Sequence, residues 1–313
     1  MNPELPTEAV ELAAAASKAF TALGDVDLAR RAELDPTIRT SEVAPTFAQL
    51  GIDDLDPRSD DVSLAAAAAL CEVAGRCALP YPVASALVRD EQGRPTAFVP
   101  AGRARVDHGD LLGAWRVGSI DGRGGTAVAS GAPLSTRLGR FVTDLELTGA
   151  DAPAPADLLL QLILQAWTVL GTVDRAVELA VDHVTTRIQF GKPISSFQAV
   201  QFQLADAAVS VAGLRELSGF TLWRWQTDRA LARADVLALR LHALEVARSV
   251  LRTCQQLHGA AGVCDEYDIS VLIRLIQPAL RLPFGIERTV TELASAIAAD
   301  GFVGLFPHGA AAG

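Results

Sequence analysis

The segment that most constrains this chain runs from residue 158 to 187 and reads LLLQLILQAWTVLGTVDRAVELAVDHVTTR. Its apolar residues recur at i, i+3, i+4 and i+7 over many turns, which predicts one long amphipathic helix. Gln161 and Gln165 interrupt the apolar run before it reaches the length of a membrane span. Because long helices with a polar face usually pack together, we predict a helical bundle and no membrane association.

The chain divides into three regions by composition. Residues 1–90 are rich in Ala and Leu at helical spacing, and 64–78 (LAAAAALCEVAGRCA) predicts a buried helix. Residues 91–150 carry recurring glycines between short β-type runs, which is typical of a small, turn-rich β domain. Residues 151–313 return to helical periodicity. We therefore predict an N-terminal helical domain, a β domain and a C-terminal bundle with these bounds; the last residues, HGAAAG, carry no structural signal.

Charge and cysteine usage exclude several functional classes. The net charge of −10 argues against a nucleic-acid partner, since a phosphate backbone needs a basic face. The first residues are acidic rather than basic and lack a following apolar stretch, so we expect no signal peptide and a cytoplasmic protein. Cys71, Cys77, Cys254 and Cys264 show no metal-ligand spacing, and we expect them to be small buried hydrophobic residues.

The sharpest local motif is RIQFGKPI at 187–194, followed by Phe197 and Gln198. We predict that the long helix ends at Arg187 and that a tight turn leads to a new helix capped by Ser195 or Ser196. A helix N-terminus beside an arginine is an anion site in physical terms. The alternative is an ordinary helix–loop–helix corner with a solvated arginine.

A second motif is QLHGAAG at 256–262. It follows a long helical segment, and Gly259 and Gly262 would let the backbone approach a bulky ligand closely. The alternative interpretation is an ordinary helix C-cap. His258 alone is more typical of a structural histidine than of a catalytic one.

These motifs resemble those of the acyl-CoA dehydrogenase family. Residues 187–207 resemble its R-x-Q-F-G-K-P-x-x-x-F-Q signature, and 256–262 resembles its Q-x-x-G-G-x-G turn with Ala260 in place of the second glycine. Residues 72–82, with Gly75 and Arg76, resemble its E-x-x-G-R…P-x-P segment. The resemblance implies a mainly α fold with a small β domain: an N-terminal helical domain, a middle β domain and a C-terminal four-helix bundle.

The resemblance also implies an activity. Family members use FAD to oxidise an acyl-CoA to the trans-2-enoyl-CoA, with a glutamate as base and an electron-transfer flavoprotein-type acceptor. The usual position of the base, counted from Arg274, falls on Pro283 and Phe284, and a less common position falls on Gln161. None of these side chains can take the proton. Glu287 is the remaining candidate, although a solvated or ion-paired helix acid is the alternative for it.

The predicted β domain departs from the family as well. Neither the T-E-P-x-x-G-S-D segment nor the W-I-[ST] strand that hold the flavin ring is present, and WRVGSI at 115–120 is the nearest equivalent. In the family, one subunit's β domain holds the ring while the neighbour's bundle contacts the ADP half of FAD. The chain therefore resembles the smaller, non-catalytic subunit of actinobacterial α2β2 acyl-CoA dehydrogenases of steroid side-chain degradation.

That resemblance implies a set of cofactor-binding residues and no catalytic residue. The residues implied for the ADP half of a shared FAD are Arg187, Phe190, Gln198, Gln256, Gly259 and Gly262. A partner subunit would supply the ring site and the base for the acyl-CoA. Two alternatives stay open: a self-sufficient homo-oligomer that uses Glu287, and a relative without FAD that serves assembly or binds acyl-CoA.

The predicted helices at 155–187 and 196–229 carry more apolar surface than one bundle can hide. The residues that illustrate this are Leu158, Leu162, Trp167, Trp223 and Trp225. We therefore expect these helices to pack in a larger core and predict an α2β2 assembly with two FAD.

Overall fold

The computed structural model describes residues 5–133, 138–229 and 232–299. The HGAAAG tail lies outside the described residues. The first part of the chain forms a helical layer. Its helices are α1 (Thr7–Ala22), α2 (Val26–Leu34), α3 (Ala44–Gln49), α4 (Asp61–Arg76) and α5 (Val83–Leu87).

The buried helix predicted at 64–78 is α4. The Asp60 carboxylate caps its start by accepting a hydrogen bond from the Ser63 N–H at 2.7 Å. Residues Leu64 to Cys71 are buried without interruption, because small alanine side chains let neighbouring helices approach α4 from several sides. α4 packs mainly against α1 and against the long helix of the second half of the chain.

A five-stranded sheet follows this layer. Its strands are β1 (Thr96–Val99), β2 (Arg105–Asp107), β3 (Ala114–Ser119), β4 (Gly124–Ala129) and β5 (Val142–Leu147). The strand order is β1-β3-β4-β5-β2, in which β1 and β3 run parallel and the other neighbours run antiparallel. Trp115 of β3 is fully buried in the sheet's own small core, where its indole N–H donates to the Gly109 carbonyl at 3.0 Å.

The second half of the chain is a helical bundle. Its helices are α6 (Pro155–Thr186), α7 (Gln198–Thr227), α8 (Ala232–His258), α9 (Asp268–Leu275), α10 (Gln277–Arg281) and α11 (Ile286–Ala299). α6 lies at the centre and packs against α4, α7 and α8. By length and composition α6 alone among the described helices could cross a membrane, but 78% of its most apolar window is buried inside the structure, as in a core helix.

The crossing of α4 and α6 explains one of the sequence motifs. A Cβ on Gly75 would lie 2.0 Å from the Thr168 carbonyl oxygen, and one on Gly171 would lie 1.9 Å from the Glu72 carbonyl oxygen. The Thr172 hydroxyl donates to the Gly75 carbonyl at 3.1 Å. The glycines of the two helices therefore permit a backbone contact that no other residue would allow, and Gly75 has a structural role.

The apolar residues that we expected to remain uncovered on the long helices are mostly buried within this chain. Leu158, Leu162, Trp167 and Trp225 are all buried within this chain, and Trp223 is half-buried. The prediction that they mark unhidden surface was wrong, because α6 is enclosed by both the N-terminal layer and the bundle. The exposed large apolar side chains of α7 are instead Phe202 and Val209, which are 60% and 72% exposed.

The cysteines follow the prediction at three positions. Cys71, Cys77 and Cys254 are buried, and burial raises the pKa of each thiol to about 12. Cys264 is exposed, so its predicted burial was wrong. The mainly helical architecture with a small sheet agrees with the predicted fold class, while the exact domain boundaries stay predictions.

Candidate functional site

The RIQFGKPI motif forms a small hairpin between two long helices. α6 ends at Thr186, and β6 (Ile188–Gln189) pairs with β7 (Lys192–Pro193). The two turn residues, Phe190 and Gly191, have φ of 53° and 76°, and positive φ at both positions is characteristic of a type I′ turn.

The connection to the next helix differs from the prediction. Residues Ile194–Ser196 form a 3₁₀ turn, and α7 begins at Gln198 without a side-chain cap. The Ser196 hydroxyl donates to the Pro193 carbonyl at 2.7 Å instead of accepting from the helix. The predicted N-cap role of Ser195 and Ser196 was therefore wrong, because the 3₁₀ turn moves the helix start beyond them.

An open cavity of about 810 Å³ lies between this hairpin, the first turns of α7 and the turn after α8. Four of the predicted site residues line it: Arg187, Phe190, Gln256 and Gly259. The structure thus brings together the two sequence motifs, which are about 70 residues apart in the chain. Gln198, exposed at the start of α7, and Gly262, buried in the turn after α8, are not part of the cavity wall.

Arg187 has a fixed backbone and a free side chain. Its N–H donates to the His183 carbonyl at 2.9 Å, and its carbonyl accepts from the Ile194 N–H at 2.9 Å. Within the described ranges, its exposed guanidinium forms neither a hydrogen bond nor an ion pair. An unpaired guanidinium at the edge of a cavity can bind a phosphate or carboxylate bidentately.

The two glycines of the second motif differ in their surroundings. Gly259 has φ of +59°, and a Cβ built on it would meet nothing within 4 Å, so its backbone faces open space. A Cβ on Gly262 would lie 2.5 Å from the Gln255 carbonyl oxygen, while the Gln255 amide donates to the Gly262 carbonyl at 3.1 Å. Gly259 can therefore admit a ligand, whereas internal packing accounts for Gly262.

Two histidines line the same cavity. The rings of His183 and His258 stack with centroids 4.5 Å apart. His258 Nδ1 lies 2.7 Å from the Cys254 carbonyl and must donate to it, which leaves Nε2 as an acceptor when the ring is neutral. Burial, the adjacent His258 and Arg187 together hold the pKa of His183 below its ordinary value. His183 was missed in the sequence, although it precedes Arg187 by one helical turn.

Aromatic side chains form the hairpin side of the cavity. Phe190 is 89% exposed and meets Phe197 edge-on with centroids 6.1 Å apart. Lys192 Nζ lies 4.5 Å from the centre of the Phe197 ring. A large aromatic residue so exposed is typical of a surface that is covered when a ligand or a neighbouring subunit binds. The cavity combines a free cation, amide groups and apolar rings.

A family model identifies the helical second half of the chain. The model described as "Acyl-CoA dehydrogenase, C-terminal domain" matches residues 158–285, which include α6, the hairpin, α7 and α8. Residues 158–285 belong to the C-terminal domain of the acyl-CoA dehydrogenase family. Among curated members, it is 29% identical over 193 residues to acyl-CoA dehydrogenase FadE27 of Mycobacterium tuberculosis, covering 53% of this chain and 52% of that protein. Two further curated relatives, acryloyl-CoA reductase (NADH) of Anaerotignum propionicum and the probable acyl-CoA dehydrogenase YngJ of Bacillus subtilis, are each 32% identical over 34% of this chain and are matched over only about a quarter of their own length.

Solved structures show the acyl-CoA dehydrogenase fold over nearly the whole chain. The ChsE4–ChsE5 complex from Mycobacterium tuberculosis superposes with a TM-score of 0.79 at 18% identity, covering 95% of this chain and 99% of that one. The Tcur3481–Tcur3483 steroid ACAD G363A variant superposes with a TM-score of 0.77 at 21% identity, covering 94% and 99%. These likenesses confirm the predicted fold class.

The residues present fit one half of the FAD expected in an acyl-CoA dehydrogenase. The cavity beside Arg187 offers a free guanidinium for a diphosphate and an open Gly259 backbone beside Gln256. The strand that most resembles the family's ring-binding strand is β3. It offers no free group to the flavin ring at Trp115, because this side chain is fully buried in the sheet core and already donates a hydrogen bond to Gly109. The fit is therefore good for the ADP half and poor for the flavin ring.

One expected base position lines a different, smaller cavity, and another lies beside a residue of its wall. Gln161 lines this cavity, and Phe284 packs edge-on against Phe98 of the same region with centroids 5.6 Å apart. Glu287 is exposed at the start of α11 and lines a third, arginine-containing cavity that Gln161 does not reach. No carboxylate thus occupies either base position, and Glu287 lies elsewhere.

Proposed function

We propose that this chain is a partner subunit of a FAD-dependent acyl-CoA dehydrogenase. In this role it binds the ADP half of a FAD whose ring lies on a second subunit, and it contributes to assembly. The observation that carries the proposal is the cavity lined by Arg187, Gln256 and Gly259, three residues that two separate motifs bring to one surface. The chain alone is expected to be inactive.

The residues of this surface suggest a division of tasks. Arg187 would pair with the cofactor's diphosphate, and Gln256, with an amide donor and acceptor, would bind a polar group of the nucleotide. The exposed ring of Phe190 would cover part of the bound molecule. Gln198 keeps its predicted role only if the neighbouring subunit brings the cofactor to the start of α7. FAD, once bound, supplies the redox step of acyl-CoA oxidation.

The base would come from the partner subunit. Gln161 and Phe284 occupy the positions where this chain would carry it, and neither side chain can remove a proton at neutral pH. A carboxylate on the other subunit would therefore remove the α-proton of the acyl-CoA thioester. The structural neighbour ChsE4–ChsE5 of Mycobacterium tuberculosis is likewise a complex of two proteins, which supports this division.

The substrate and acceptor follow from the family and its steroid-related neighbour. An acyl-CoA thioester, with a steroid side-chain CoA as the specific candidate, is supported by the steroid ACAD that shares this fold. Reduced flavin would pass its electrons to an electron-transfer flavoprotein-type acceptor. We also propose a cytoplasmic location. For the assembly, the apolar exposed residues Phe202 and Val209 on α7 offer a surface that a second subunit could cover.

Purification of the chain with and without its partner tests the proposal. The partner is obtained by pull-down of the tagged chain from its host, followed by co-expression of the recovered acyl-CoA dehydrogenase homologue. We expect the chain alone to be colourless and the co-expressed pair to show flavin absorbance and acyl-CoA oxidation. A yellow, active homo-oligomer would support the self-sufficient alternative, and a pair that never holds flavin would support the alternative without FAD.

A further inference from the structure

A second polar site lies at the other end of α6. A cavity of about 100 Å³ is enclosed by α6, the sheet and the loops that flank α5 and α10. A neighbouring lobe of about 80 Å³ shares part of its wall, including Tyr81, Asp107 and Thr168. Gln161 and Arg187 lie near opposite ends of α6, roughly 40 Å apart along its axis at 1.5 Å per residue. This site is thus separate from the proposed FAD surface and does not rest on it.

Gln161 reaches this cavity with an unused hydrogen-bond acceptor. The residue is 6% exposed, and its Oε1 is buried with no hydrogen-bond partner among the described residues. Its neighbour Gln165, which also lines the cavity, is satisfied because its Oε1 accepts from Arg240 at 2.8 Å. Leaving a buried acceptor unpaired costs about 1–3 kcal/mol, so the Gln161 oxygen needs a hydrogen-bond donor that the described residues do not supply.

Asp107 faces both lobes from the end of β2, and no arginine or lysine among the described residues pairs with it. The adjacent arginines are engaged elsewhere: Arg105 pairs with Asp144 at 2.7 Å, and Arg39 pairs with Asp110 at 2.6 Å. His108 Nε2 lies 3.7 Å from Asp107 Oδ2, beyond normal hydrogen-bond distance. Partial burial without a cationic partner favours the neutral form of a carboxyl group more than water does.

The Asp107 side chain is about one-third exposed, and its remaining surface faces the groups that line the two lobes. Burial raises the pKa of Asp107 to about 7, against the smaller opposing effects of the Arg39 charge and the His108 N–H. His108 is itself neutral, because burial and then Arg39 hold its pKa well below the ordinary value. The other charged groups that face Asp107 are Arg39, Arg105, Asp110 and Arg140. Asp107 is the group among the described residues of this cavity that titrates near neutrality.

The walls between these polar groups are apolar. Tyr81, Phe98 and Leu282 enclose the cavity, and Leu79 and Ala279 contribute to both lobes. A cavity of comparable size in a protein core can take a small ring. A hydroxyl group offers one donor and two acceptor positions, so it can donate to the Gln161 oxygen and accept from the carboxyl O–H of Asp107. A ketone could accept from Asp107 but would leave Gln161 unpaired.

We propose that this cavity binds the hydroxyl group of a small neutral alcohol, held between Gln161 and Asp107. The ionised form of Asp107 cannot donate, so binding should weaken as the carboxyl loses its proton. Between pH 6 and pH 8 the protonated fraction of a group with a pKa of about 7 falls by about tenfold, and affinity should fall to a similar extent. Anions of the same size should be excluded at both pH values.

Ligand-observed saturation-transfer NMR on the full-length chain tests the proposal, with cyclopentanol as probe and cyclopentane and cyclopentanecarboxylate as comparisons. We expect saturable binding of cyclopentanol that weakens by about tenfold from pH 6 to pH 8. Gln161→Met should weaken cyclopentanol binding by about tenfold and leave cyclopentane unaffected. Asp107→Asn, which keeps a neutral donor, should bind cyclopentanol equally at both pH values.

Gln203→Met on the exposed surface of α7 is the matched control and should change nothing. Thermal unfolding of each variant separates loss of binding from loss of folding. Equal responses of cyclopentanol and cyclopentane to pH and to Gln161→Met would overturn the proposal in favour of a purely apolar cavity. Absence of saturable binding by either probe would overturn it in favour of a cavity filled by water alone.

Discussion

Arg240 holds the backbone of Phe284: its Nη2 donates to the Phe284 carbonyl oxygen at 2.7 Å. The same nitrogen donates to the Leu282 carbonyl at 2.8 Å, and Nη1 donates to Gln165. Burial lowers the pKa of Arg240 to about 9, which still leaves the guanidinium charged at neutral pH. A buried cation thus fixes the segment where most family members carry their base, and an aromatic side chain occupies the position itself.

Arg240→Met should lower the free energy of unfolding by about 2–4 kcal/mol. The substitution leaves three oxygens without their donor in a buried environment, and hydrogen bonds to charged groups contribute more than neutral ones. Urea unfolding followed by circular dichroism measures the change. Arg248→Met, on the exposed face of the same helix, is the control and should stay within about 0.5 kcal/mol of the parent. Equal effects of the two variants would contradict the role given to Arg240.

Glu287→Gln should leave turnover by the co-purified complex within about twofold. The side chain is exposed at the start of α11 and lines a cavity other than the one beside Gln161. Initial rates of acyl-CoA oxidation at fixed flavin content provide the measurement. If activity were lost while flavin stayed bound, Glu287 would be the base and the self-sufficient alternative would stand.

Arg187→Gln should weaken FAD binding by the complex roughly 10- to 150-fold, since a charge-assisted pair contributes about 1.5–3 kcal/mol. Titration of the flavin-depleted complex with FAD, followed by flavin fluorescence, gives the affinity. Arg123→Gln is a suitable control, because the Arg123 side chain is 82% exposed in the turn between β3 and β4 and does not line the cavity. Unchanged affinity in the Arg187 variant would remove the main support for the proposed function.

Substitutions at Gly259 and Gly262 should distinguish an effect on FAD binding from an effect on folding. Gly262→Ala places a Cβ 2.5 Å from the Gln255 carbonyl and should cost more than about 2 kcal/mol of stability in the chain alone. Gly259→Val introduces strain at a positive φ but no clash, so we expect about 1–2 kcal/mol and a larger loss of FAD affinity in the complex. Thermal unfolding and FAD titration measure the two quantities. If FAD affinity fell in proportion to stability in both variants, Gly259 would be an ordinary helix cap.

Sequence periodicity and motif order were enough to predict the large features of the fold. The 3.6-residue spacing of apolar residues located α6, and the alanine-rich run located α4, because both helices bury one continuous apolar surface. The RIQFGKPI and QLHGAAG motifs predicted a shared site, and the structure places Arg187 and Gln256 on one cavity.

Features that depend on tertiary context could not be predicted in the same way. The start of α7 was misplaced because the 3₁₀ turn at Ile194–Ser196 satisfies the Ser196 hydroxyl through the Pro193 carbonyl. Burial of the tryptophans was misjudged, since periodicity does not show that α4 covers the far side of α6. Asp107 lacks an arginine partner among the described residues because two nearby arginines pair with other aspartates. Arg39, distant in sequence, pairs with Asp110, and Arg105, two residues before Asp107, pairs with Asp144.

Native mass spectrometry with flavin quantitation on the co-expressed pair tests the central claim most directly. If this chain supplies only the ADP half of each site, an α2β2 tetramer can complete two flavin sites, each with one Arg187 surface and one partner ring site. We predict a mass for two copies of each subunit and two FAD, and loss of flavin from the same tetramer on Arg187→Gln. Four FAD per tetramer, or a stable and active homo-oligomer of this chain alone, would contradict the account.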